Sequence, residues 1–151
     1  ESGAYQNIFG APHALDTVAA LLGGYDKSIF KVDEIINTPP VFKHGRYGCE
    51  IHEMTEMKKA PSGLGQLAIS NQPSFSIPFL YAYFGNKEKS DYIIKKIATE
   101  CFTPSAYPGD EDNGSMSAWY IFATIGKFPI CPGSGKMVET TPLAKYKIKS
   151  S

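Results

Sequence analysis

The chain lacks net charge, because 15 Lys and Arg residues are balanced by 15 Asp and Glu among 151 residues. Without a basic tract it has no phosphate-backbone footprint, which excludes nucleic-acid binding as its main role. No apolar run approaches the ~18 residues that span a bilayer, so no membrane helix is expected. Histidine and cysteine are scarce, at 3 each. Cys49, Cys101 and Cys131 lie far apart without the paired spacing of a zinc site, and an odd count leaves at least one thiol free or shared with another chain. The first residue is Glu1, and no basic segment with an apolar stretch follows it, so a secretory signal is expected to have been removed or to lie outside this chain. What remains is 42% hydrophobic and 20% charged, ordinary for one globular domain with a buried core.

Helical spacing dominates the first three quarters. Ala14 to Leu22 is an apolar run closed by Gly23-Gly24, and Ser28 to Ile36 reads as a short helix stopped by Thr38-Pro39-Pro40. A glycine- and charge-rich stretch runs from Lys43 to Gly65. Ile77 to Phe84 is expected to be a helix capped by Gly85, Lys87 to Phe102 an amphipathic helix, and Ser115 to Ile125 a helix ending at Gly126. From Lys127 onward Pro129, Pro132, Gly133, Gly135 and Pro142 cut the chain into short extended pieces, and Lys145 to Lys149 alternates like a strand. The expected division is a helical part over residues 1–126 and an extended, β-rich segment over 127–151 packing on it.

The most informative stretch is Gly109-Asp110-Glu111-Asp112-Asn113-Gly114, three consecutive carboxylates in a glycine-bracketed loop before an apolar helix. The glycines permit backbone angles closed to other residues and Pro108 stiffens the entry, so the acids are presented by a shaped turn. Taken alone, such a turn is more often an N-terminal helix cap favoured by the macrodipole. It is no EF-hand, since Ile121 stands where a bidentate Glu is required. His52-Glu53 begins like a His-Glu-x-x-His zinc helix, but Glu56 replaces the second histidine; Glu50, His52, Glu53 and Glu56 read better as a helix face toward solvent or a cleft. Asn113-Gly114-Ser115 fits a glycosylation sequon, though its place beside the acids argues against a glycan there.

The continuation Met116-Ser117-Ala118-Trp119-Tyr120 changes the balance. With the acidic loop it closely resembles the catalytic-base segment of family 92 glycoside hydrolases, calcium-dependent exo-acting α-mannosidases that invert at the anomeric carbon. Further blocks follow in family order: Leu21-Leu22-Gly23-Gly24 with Thr38-Pro39-Pro40, Gly48 through Met57, Asn71-Gln72-Pro73-Ser74 with Ile77-Pro78 and Tyr81, and Phe128-Pro129 through Ser134. The resemblance implies a mostly α fold, a carboxy-terminal fragment of an (α/α)6 barrel with short β segments at its end. Twelve helices of ~11 to 12 residues with loops of ~5 need roughly 200 residues, so the remaining barrel segments or another protein chain are expected to cover the faces this chain leaves open.

By resemblance Asp110 and Asp112 hold the base positions, where one activates the water and the other orients it. Glu53, Glu56, Asn71, Glu111 and Tyr107 are the expected substrate contacts. Tyr107, beside Pro108, is the better cleft aromatic, whereas Trp119, Ala118 and Phe122 are expected in the core. Calcium would act on the sugar hydroxyls, with ligands that the sequence leaves unassigned, and the family favours a secretory location. Position 72 departs from the family's usual glutamic acid: Gln72 cannot deliver a proton. Either catalysis has been lost, or the leaving group needs no proton, as in the branch that removes mannose from mannosyl-phosphate caps and also carries Gln there. In that case Gln72 would contact the phosphate. Ile69, Phe75 and Ser76 stand where the family commonly has histidines, and Ser90, Asp91, Met137, Glu139 and Thr140 also depart from its pattern, which suggests erosion of the site. The readings left open are a portion of an inverting α-mannosidase acting on mannose-containing glycan or mannosyl phosphate, an inactive mannosidase-like fragment serving as a structural subunit or protein-binding element, and a lectin-like mannose binder.

Overall fold

The computed structural model describes residues 4–42, 52–61, 63–109 and 111–146. The Gly48 to Ile51 part of the second motif and most of the strand expected at Lys145 to Lys149 lie outside the described residues. The helices are α1 (Ala4–Asn7), α2 (Leu15–Leu22), α3 (Tyr25–Asn37), α4 (His52–Lys59), α5 (Ile77–Tyr83), α6 (Lys87–Glu100) and α7 (Ser115–Ile125), with 3-10 turns at Pro12–Ala14 and Gln72–Ser74. After α7, β1 (Lys127–Phe128) and β2 (Val138–Glu139) pair antiparallel with Phe128 opposite Val138.

Most helices fall where apolar spacing and punctuation put them. Helix α3 begins three residues before the expected Ser28, because the Gly24 carbonyl accepts both the Ser28 amide and its hydroxyl at 3.0 Å, placing Ser28 inside the first turn. Helix α4 is not legible as an apolar stripe. Its sequence His-Glu-Met-Thr-Glu-Met-Lys-Lys is instead rich in strong helix formers, and the terminal Lys58 and Lys59 suit the negative end of the helix dipole.

The core forms where α3, α5, α6 and α7 converge. Val32 and Ile35 of α3, Phe79 and Leu80 of α5, Ile93, Ile94 and Ile97 of α6, and Trp119 of α7 are all fully buried. Ser90, Ile93, Ile94 and Ile97 make the i, i+3, i+4, i+7 stripe that turns α6 inward. The small Ser90 lets α5 approach, and its buried hydroxyl donates to the Pro78 carbonyl at 2.5 Å. Phe128 of β1 stacks on Phe79 at 4.1 Å with the rings 12° from parallel, which fastens the hairpin onto the helices.

Several departures from the family pattern thus have structural work rather than a place at the acidic loop. Asp91 accepts from the Thr141 amide at 2.7 Å, the Thr141 hydroxyl at 2.6 Å and Lys87 Nζ at 2.8 Å, tying the segment after β2 to the start of α6. Glu139 pairs with Lys127 across the hairpin at 3.5 Å. Burial raises the Asp91 carboxyl, but its hydrogen bonds and the Lys87 charge outweigh this and hold it below the ordinary value of 3.8. Asp91→Ala should therefore lower stability by about 1 kcal/mol after allowance for solvent screening, measured by urea unfolding at neutral pH, and the loss should fade as the medium is acidified through that low carboxyl value.

Candidate active site

Two chain segments far apart in sequence are brought side by side: residues 69–75, containing Asn-Gln-Pro-Ser, and residues 108–119, containing the acidic loop and the start of α7. Their meeting is fixed at three levels. Trp119 Nε1 donates to the Phe75 carbonyl at 3.0 Å. Gly109 lies so close to Ser70 that a β-carbon there would sit 2.6 Å from Ser70 Cβ, so glycine is required for this approach. Gln72 Nε2 donates to Asp112 Oδ2 at 2.5 Å and lies 3.3 Å from Ser115 Oγ.

The loop reverses through Asn113 at φ 53° and Gly114 at φ 83°, left-handed angles suited to this residue pair. This turn brings the Asp112 carbonyl to the Ser115 amide at 3.0 Å and starts α7. Glu111 points to the helix rather than outward. Its carboxylate accepts from the Met116 and Ser117 amides at 3.2 Å each and from Ser117 Oγ at 3.1 Å. Glu111, expected at the substrate, is thus the cap of α7, the ordinary role of an acidic turn. Asp112 remains exposed toward Gln72. Asp110 lies outside the described residues, as do the side chains of His52 and Glu53.

The replaced histidines are absorbed by packing. Ile69 is buried, and Phe75 packs against the core while its carbonyl receives the Trp119 indole. Asn71 begins the 3-10 turn, its carbonyl accepting the Ser74 amide at 3.0 Å. Behind the loop is a recess of about 150 Å³ bordered by Glu56 and Lys59 of α4, Ser70, Cys101 and Pro108. Glu56 is paired with Lys59 at 2.9 Å. Burial, then the adjacent Glu100 charge, pushes the Cys101 thiol up to about 11, so at neutral pH it is an uncharged wall and not a nucleophile. The recess is below the ~300 Å³ at the lower end of ligand sites; this chain supplies part of a site.

An inverting pair of carboxyl groups stands ~6.5 to 9.5 Å apart, leaving room for a water. Gln72 and Asp112 are in direct contact. Gln72 is a hydrogen-bond donor to Asp112. Among the described residues no group of three or more His, Cys, Asp or Glu side chains converges to hold a metal. No helix among the described residues is long and apolar enough to cross a membrane.

The model of the glycosyl hydrolase family 92 catalytic domain matches residues 1–149, and the chain belongs to that family. It resembles the family GH92 alpha-mannosidase BT3965 of Bacteroides thetaiotaomicron with a TM-score of 0.76 and 24% identity, covering 95% of this chain and 18% of that one. The family GH92 inverting mannosidase BT2199 of the same organism matches with a TM-score of 0.69 and 31% identity over 93% of this chain and 19% of that one. An uncharacterized secreted glycosidase of Arthroderma benhamiae is 28% identical over 134 residues, 85% of this chain and 14% of that protein. The helices described above are accordingly part of an (α/α)6 barrel, and the chain spans about a fifth of these solved relatives.

Desolvation against the loop pushes the Glu111 carboxyl up, but the amides of Met116 and Ser117 and the Ser117 hydroxyl outweigh it and hold it below the ordinary 4.5. A carboxyl depressed in the folded state contributes stability that is complete above its unfolded value and is lost as pH falls through the folded one. Glu111→Gln should therefore unfold at lower urea than the parent at about pH 7, and the difference should shrink at about pH 3.

Proposed function

We propose that this chain supplies the catalytic base of an inverting α-mannosidase, with Asp112 as the base and Gln72 as its positioning residue. The observation that carries the reading is the Gln72 Nε2 to Asp112 Oδ2 contact of 2.5 Å, which orients one carboxylate oxygen and leaves the other for water. Asp112 accepts a proton from the water as its oxygen bonds to the anomeric carbon. The bond from that carbon to the leaving group breaks, and the leaving group departs with the electron pair. Asp110, by family resemblance, would share in orienting the water.

The substrate class is argued from the amide at position 72, and among the described residues the nearby carboxylates are engaged: Glu56 with Lys59, Glu100 with Lys96 and Glu111 with α7. A sugar alkoxide is about as basic as hydroxide, whose conjugate acid has pKa ~15.7, whereas a phosphate monoester has its second pKa near ~6. A mannosyl-phosphate linkage is therefore the substrate best suited to this site. The rest of the barrel, from the same protein or a partner chain, would complete the pocket and cover side chains such as Leu21 and Phe30, now 84% and 60% exposed. The secreted fungal relative supports a secretory location.

A second reading is favoured by the same contact. A direct Gln72 to Asp112 contact is also what a mannosidase-like element retained for structure would keep. Hydrolysis of a mannosyl-phosphate diester and of an ordinary α-mannoside, with and without calcium, by the protein containing this chain separates the two. The proposal expects release from the phosphodiester, reduced at least ~100-fold by Asp112→Asn. Equal release from both substrates would overturn the leaving-group assignment. No release by folded protein would establish the structural reading.

A further inference from the structure

We propose that the groove between the α6–α7 connection and the outer face of α7 binds a second hexose unit of the glycan, a proposal resting on the glycan-acting reading above. Helix α7 has two working faces. Ser115 and Trp119, four residues apart, face the Gln72 to Phe75 segment, while Ser117, Tyr120 and Ile121 recur at i, i+3 and i+4 on another face. The latter face borders a groove of about 410 Å³, within the ~300 to 1,000 Å³ range of small-ligand sites and larger than the recess behind the loop.

The groove is built rather than merely exposed. Tyr107 and Tyr120 are 46% and 42% exposed, yet both rings are backed by Phe102, which meets Tyr107 edge-on at 6.2 Å and Tyr120 at 5.2 Å. Phe102 in turn lies 4° from parallel to the buried Trp119 ring at 5.4 Å. Reciprocal hydrogen bonds between Thr103 and Ala106, at 3.0 and 3.4 Å, fix the turn that delivers Tyr107. Two aromatic faces are thereby held in place before any ligand arrives, which reduces the ordering cost of binding.

The polar edge has a defined direction. The Glu111 carboxylate can only accept, so the Ser117 hydroxyl donates to it at 3.1 Å. Ser117 Oγ must then receive its 2.8 Å hydrogen bond from Tyr107, leaving the Tyr107 oxygen with a lone pair for an incoming hydroxyl. Among the described residues no charged side chain lines the groove. A neutral ring with an apolar C–H face and a hydroxyl edge matches these features, whereas an ionic ligand would find no countercharge. Through Ser117 and Glu111 the groove edge is joined directly to the loop that carries Asp112, so it would receive a more distant unit of the glycan whose terminal sugar is hydrolysed.

The sole tryptophan, Trp119, stacks on the groove's rear wall and provides a reporter. Titration of the protein with mannose, mannobiose and mannotriose, followed by Trp119 emission, should give saturable binding that strengthens from mannose to mannotriose. Tyr107→Ala and Tyr120→Ala should each weaken mannotriose binding at least about fivefold, and Tyr107→Phe, which keeps the ring and fold, about threefold through the lost hydroxyl. Asp112→Asn should leave this binding in place. Absence of saturable mannotriose binding, or binding unchanged in the folded tyrosine variants, would overturn the proposal. Hydrolysis plays no part in this readout, so an inactive protein that binds mannotriose through Tyr107 and Tyr120 would sink the catalytic reading while upholding the groove.

Discussion

The hydrogen bond from the Trp119 indole to the Phe75 carbonyl is the contact on which the candidate site depends. It crosses between segments 44 residues apart in a part-buried place, where an unpaired buried carbonyl would cost about 1 to 3 kcal/mol. Phe102 and Phe79 hold the indole in position, the first stacked on it and the second edge-on at 5.9 Å. With the end of the 3-10 turn so anchored, Gln72 has no choice but to face the start of α7. The Gly109 to Ser70 approach then brings the acidic loop across it.

The acidic loop divides its carboxylates between two tasks. Glu111 neutralises free amides at the start of α7, while Asp112, held on the other side of the turn by Asn113 and Gly114, stays available to water and to Gln72. Helix capping and the contact with Gln72 are thereby assigned to adjacent residues. The cap is what keeps α7 in place, and α7 carries both Ser115 beside Gln72 and the aromatic groove on its other face. A change at Glu111 would be felt at both.

Much of the fold is legible in the sequence because it follows from local rules. Apolar spacing in Ser90, Ile93, Ile94 and Ile97 and the glycines at 85 and 126 mark α5, α6 and α7 closely. Helix α4 is legible as a helix face through His52, Glu53 and Glu56 rather than as an apolar stripe, and α3 starts early because Ser28 bonds back to Gly24 from inside the helix. The importance of Gln72 and Asp112 is visible in the motif words, but their contact is not. It is created by tertiary packing of Trp119 against Phe75, which no local pattern encodes. Likewise, Ser90 and Asp91 suggest erosion of a sugar site when read in sequence, and in space they are a helix-packing residue and a tie to the C-terminal hairpin. The capping role of Glu111 is legible in the general preference of acidic turns for helix starts.

The pairing of the Gln72 amide with the Asp112 carboxylate is the centre of the candidate site. It turns two groups that would repel as carboxylates into donor and acceptor, and it sets the orientation of Asp112 before substrate arrives. The most direct measurement is a double-mutant cycle in urea unfolding with Gln72→Ala, Asp112→Ala and the pair. A direct hydrogen bond gives a coupling energy of about 1 kcal/mol. Effects that add within about 0.5 kcal/mol would mean that the two side chains act independently, and would contradict the site as described.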